Sequence, residues 1–167
     1  MKIFIVFSKL IKIFYLFTIL FLIFLNPVQA QEDPPARPEW WNEINIDVPR
    51  KNNVVEQYYS IKGTFLDPAY RATGGERELL FKRSIVAYSK LLEWFQSDKD
   101  RPTACLAEYQ VAEAYRQIGD IHMANASYQK CIAYQAFLND PPNTSADTTM
   151  MAIISNSRIK LGDSARE

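Results

Sequence analysis

Histidine and cysteine are scarce in this chain: its 167 residues hold one His and two Cys. So small a set leaves little material for a metal centre or a histidine-dependent active site, although acid-only and cofactor chemistry stay open. No cofactor is expected. Nucleophile–base motifs, phosphate loops, ligand-spaced His/Cys clusters and carboxylate pairs are missing too, which argues against an enzyme. Acids are absent from the first 30 residues, while Lys2, Lys9 and Lys12 lie there. Of the 19 Lys and Arg, 16 therefore remain to face all 19 Asp and Glu. That slightly acidic body carries no basic footprint for nucleic acid. No stretch alternates with period two for long enough to build a sheet, so an all-α fold is expected.

What the first 30 residues do have is apolar mass. The run 13–25 is uninterrupted, and Val28-Gln29-Ala30 follows Pro27. Lysines, an apolar stretch and small side chains before a cut after Ala30 read as a secretory signal peptide (1–30). An uncleaved anchor is the alternative, but an unbroken span of about 20 residues is normally needed. Cleavage would release a chain beginning at Gln31, exported across an inner membrane into a bacterial periplasm. A lipoprotein would need a cysteine at the cut, and the first is Cys105.

Residues 31–75 read as a proline-rich arm. Pro34, Pro35, Pro38 and Pro49 remove backbone donors and hold their predecessors extended. Trp40 and Trp41 either pack back onto the domain or serve as a docking anchor, since large aromatics dominate interface energies. Asn53 is a cap for one short helix through Ile61, which Gly63 and Pro68 are expected to stop. From 76 to 167 the pattern is helical. Helices are predicted over 76–96, from Pro102 to 117, 121–137 and 145–161, with Gly119-Asp120 as a tight turn and Gly162 closing the last.

Two helices of about fifteen residues joined by a three-residue turn must lie antiparallel, with small residues where the axes approach. Ala112 and Ala124 supply that contact, Tyr115 and Tyr128 fill the space beside it, and Gly119 accepts the backbone conformation that ends the first helix. With Gly119-Asp120, these positions resemble one tetratricopeptide repeat. The match departs at Glu108, where a large apolar residue is common, and at Ala136, where proline often ends the unit. Ser84, Tyr88 and Leu91 echo Ala124, Tyr128 and Cys131, so the 76–96 helix could be half of a degenerate unit, whose first half would fall on 68–75, a stretch expected to be non-helical. The resemblance implies antiparallel hairpins and a ligand-facing stripe of Leu106, Tyr109, Glu113, Arg116 and Gln117. That stripe suits an extended or helical peptide, unless it simply covers a neighbouring helix.

Cys105 lies fourteen residues before Gly119 and Cys131 twelve after it, so the two come level across the hairpin. In an oxidising compartment this favours a disulfide over two buried thiols. His122 reads as a surface or capping histidine, and the sequons at Asn125 and Asn143 as chance. Three functions follow in order: an exported adaptor that binds another envelope protein or peptide; a structural subunit whose helical stack is completed by its partner; and an enzyme.

Overall fold

Four alanines, Ala104, Ala107, Ala112 and Ala114, make one helix narrow enough to be surrounded, and all four are buried. The computed structural model describes residues 35–138 and 144–164. Its helices are α1 (Val54–Ile61), α2 (Asp67–Arg71), α3 (Gly74–Trp94), α4 (Arg101–Gln117), α5 (Ile121–Ala133) and α6 (Ser145–Ser164). No strand occurs among the described residues, and the fold is all-α. The leader, its cut, and the loop 139–143 with Asn143 lie outside the described residues. No described helix is long and apolar enough to cross a membrane.

The alanine-rich α4 is the centre: it packs against α1, α3, α5 and α6. Helix α3 in turn lies against α1 and α2, and α5 against α6. The main core joins Val54, Tyr58 and Ile61 of α1 to Phe81, Ile85 and Tyr88 of α3, Val111 and Tyr115 of α4, and Tyr128 of α5. The described residues from Pro35 onward belong to one compact unit, with no boundary at residue 75.

Two sequence signals mislead between residues 61 and 75. Gly63 and Pro68 do not stop the helix. A π-turn over Lys62–Leu66 carries α1 into α2, with the Asp67 amide donating to the Lys62 carbonyl five residues back. A proline ring clashes with the carbonyl four residues before it and offers no N–H; the wider turn shifts register just ahead of Pro68, which then sits in the first turn of α2. Lys62 clamps this turn through its Nζ, 2.6 Å from Asp67 Oδ1. The segment Pro68–Gly75 is therefore largely helical, and α1–α2 with α3 makes a first hairpin ahead of the α4–α5 hairpin. Gly74, with φ +58°, opens α3 where the chain turns back after α2.

At the second turn the local chemistry is as the sequence indicates. Gly119 has φ +82°; its amide donates to Arg116 O and that of Asp120 to Tyr115 O, the paired bonds of a left-handed glycine cap. The Asp120 carboxylate then accepts from the Met123 amide, 3.1 Å away, and caps α5. Gly162 behaves differently: α6 runs through it to Ser164, with no positive φ. Both glycines have open space where a Cβ would stand, so Gly→Ala isolates backbone effects. Gly119→Ala is expected to cost about 1–2 kcal/mol because a Cβ is strained at positive φ. Gly162→Ala is expected to add about 0.5 kcal/mol because alanine favours the helix. Urea denaturation of the two variants checks these opposite signs.

Candidate functional site

The arm folds back rather than reaching out. Trp40 and Trp41 lie in a 3₁₀ turn, Glu39–Glu43, and both are half-buried. The Trp40 ring lies tilted 6.2 Å from that of Tyr115, with Lys82 Nζ 5.3 Å from its centroid. Lys90 then donates to Ile46 O and Arg50 to Trp94 O, so the arm from Trp40 to Arg50 follows α3 in the same direction, while Arg37 ahead of it pairs with Glu93. At 100° per residue, Tyr115 and Glu113 point to nearly opposite sides of α4. The tryptophans are thus on the far side from Glu113 and do not close a groove over it.

The predicted stripe on α4 is assembled by its neighbours. Leu106, Tyr109, Glu113, Arg116 and Gln117 are all half-buried. Leu106 and Tyr109 pack against the core, so this end of the stripe also serves as internal cover. Tyr109 lies 5.9 Å from the Tyr128 ring, and the Tyr128 hydroxyl donates to Glu113 Oε1. Arg77 of α3 donates to Gln117 Oε1. Two of the polar side chains are thereby fixed in place. Arg116 is different: its Nε–H is buried with no hydrogen-bond partner among the described residues.

Tyr70 of α2, 49% exposed, completes this surface. Burial first, and then the Glu113 carboxylate, raises its phenol above the usual range. The same two causes, in the same order, push Tyr109 up to about 12. Both phenols therefore stay neutral donors beside a carboxylate at ordinary pH. The result is an aromatic surface carrying a fixed acceptor and an unspent guanidinium donor. No protein-family model, curated protein or solved structure matches this chain.

The packing residues Ala112, Tyr115, Ala124 and Tyr128 are all buried, with Gly119 at the turn between them. Cys105 and Cys131 do come level, but the expected disulfide is not formed: both are free thiols in a small buried cluster with Met150 and Ile153. The Cys131 thiol points at the Cys105 carbonyl oxygen, 3.9 Å away, instead of at its sulfur. Burial pushes the Cys105 thiol up to about 12 and raises that of Cys131 as well, so both are protonated and unreactive in place. His122 is exposed. Among the described residues no group of three or more His, Cys, Asp or Glu could hold a metal ion.

Sequence reasoning missed Tyr70 and Arg77 as parts of this surface. Tyr70 fell in a stretch expected to be non-helical, and no spacing along the chain joins Arg77 of the 76–96 helix to Gln117, 40 residues on.

Proposed function

We propose that this chain is an exported adaptor of tetratricopeptide-like build, which binds a polypeptide of the cell envelope along Tyr70, Tyr109, Glu113 and Arg116. The observation that carries this reading is the unpaired Nε–H of Arg116 beside a carboxylate held by Tyr128. A buried donor without a partner costs about 1–3 kcal/mol, and an extended peptide offers the carbonyl or carboxylate that satisfies it in the fork geometry of arginine. The tyrosines contribute apolar area beside it. Export rests on the leader and on Val28-Gln29-Ala30 before the cut.

Replacing Tyr109 and Arg116 together by Ala is expected to weaken capture of the envelope partner more than tenfold, about 1.4 kcal/mol, with helical circular dichroism unchanged. Full-strength capture by a folded double variant refutes the groove. Unfolding of that variant assigns both side chains to the core.

A second reading, a subunit whose stack is completed by its partner, draws on the two ends of the helical array. Val55 and Tyr59 on α1, and Met151 and Ile159 on α6, are large apolar side chains left exposed. Cooperative melting of the isolated chain at low concentration separates a self-sufficient adaptor from such a subunit.

A further inference from the structure

Glu108 is a carboxylate in an apolar place. Its side chain is 8% exposed, and it lines a cleft of about 320 Å³ together with Leu92, Phe95, Ala104, Tyr134 and Phe137. Helical geometry places it on the opposite side of α4 from Glu113, so this cleft is separate from the peptide surface proposed above and does not depend on it.

The charges around the cleft are unevenly satisfied. Arg101 at the rim is spent: its guanidinium lies 2.5 Å from Asp98 and 3.8 Å from the Phe137 ring centroid. Asp100 accepts from Ser97 at 2.5 Å. Glu108 has the Ser127 hydroxyl as a hydrogen-bond partner and Lys130 at 3.5 Å, well beyond the 2.7–2.9 Å of a tight charge-assisted bond, and that lysine is 59% exposed. A buried carboxylate needs close partners on its lone pairs to offset desolvation; with about four acceptor sites, one hydroxyl and one long contact with a solvated lysine leave room for another cation. The surroundings match one shape of cation: Leu92 and Phe95 from the end of α3, and Tyr134 and Phe137 beyond α5, form apolar and aromatic walls above the carboxylate.

We infer that this cleft binds a lysine side chain of a partner polypeptide, its four-carbon stem against Leu92, Phe95 and Phe137 and its ammonium on Glu108. An anion is disfavoured because the buried ionisable group lining the cleft is a carboxyl, which burial raises above its usual range and an incoming ammonium would draw back toward the ionised form. A purely apolar occupant would leave that carboxyl desolvated and unmatched.

The probe is N-acetyl-lysine methylamide, titrated into the full chain while the Leu92 methyl and the Tyr134 and Phe137 ring resonances are followed. Its norleucine counterpart, which keeps the stem and lacks the charge, is the control. Binding of the lysine amide at least tenfold tighter than the norleucine amide is expected. Glu108→Gln should abolish that difference, and Phe137→Ala, a change at a 48% exposed side chain, should weaken the lysine amide threefold or more. Lys130→Met should tighten it threefold or more, because the resident cation no longer competes. Equal affinity for the two amides, or no binding of either, overturns the inference. So does a folded Lys130→Met chain that gains nothing, since Glu108 and Lys130 would then be a structural pair only. If Glu108→Gln does not fold, the two amides and the Lys130→Met chain still decide the matter. Butylammonium binding as tightly as the lysine amide overturns the assignment to a polypeptide and gives the cleft to free amines.

Discussion

Raising the pH from 9 to about 12 is expected to unfold this protein in one cooperative step, read by helical circular dichroism and tyrosinate absorbance changing together. An ordinary phenol titrates near 10. Burial pushes Tyr58 up to about 12, and burial followed by the Glu113 charge does the same for Tyr109. Tyr88, Tyr115, Tyr128 and Tyr134 are raised further, in each case chiefly by burial. A group whose folded value lies above its unfolded one adds stability that is complete below the unfolded value and is lost as pH rises toward the folded value. With so many tyrosines shifted the same way, the unfolded chain sheds protons near pH 10 while the folded one keeps them, and each step upward favours unfolding. Gradual tyrosinate absorbance over intact helix would mean that these rings titrate in place and are not core.

Phe81→Ala is expected to cost about 3–5 kcal/mol, the ordinary price of deleting a fully buried ring. The side chain is inaccessible, and its ring meets Tyr70 edge-on at 5.2 Å; such a pair adds about 0.5–1.5 kcal/mol beyond area burial. Because Phe81 ties α3 to α2, the loss should also loosen Tyr70, one wall of the proposed peptide surface. Leu79→Ala, two residues away at 39% exposed, is the control and should cost less than about 1 kcal/mol. Urea denaturation of both variants, with an unchanged slope, measures the difference.

What could be read ahead of the structure was what local chemistry decides. A glycine at positive φ followed by a capping aspartate defines the turn at Gly119 without help from distant residues. The spacing of Ala112, Tyr115, Ala124 and Tyr128 gave the inward positions of the α4–α5 hairpin for the same reason. Gly63, Pro68 and Gly162 were misleading because glycine permits a break without requiring one. At Pro68, burying Tyr58, Ile61, Leu66 and Ala69 along one line outweighs the interruption, and a π-turn absorbs it. The level placement of Cys105 and Cys131 followed from counting residues, but rotation about the two helix axes decides where a sulfur points, and counting is blind to rotation. The α4 stripe was legible as a face. Its half-burial was not, since Arg77, Tyr70 and Tyr128 reach it from elements whose placement depends on the whole packing. Glu108 stood out as a charge in an apolar position, yet the cleft above it is built by α3 and the turn after α5, and no spacing along α4 announces them.

The small cluster of Cys105, Cys131, Met150 and Ile153 stands apart from the main core, and α6 supplies half of it. Opening of that last helix would wet both sulfurs while the hairpins beneath stay folded, so oxidant or alkylating reagent meets them at a rate set by a local equilibrium and not by global unfolding. The rate at which the thiols are modified under native conditions is thereby expected to report any lifting of the C-terminal helix.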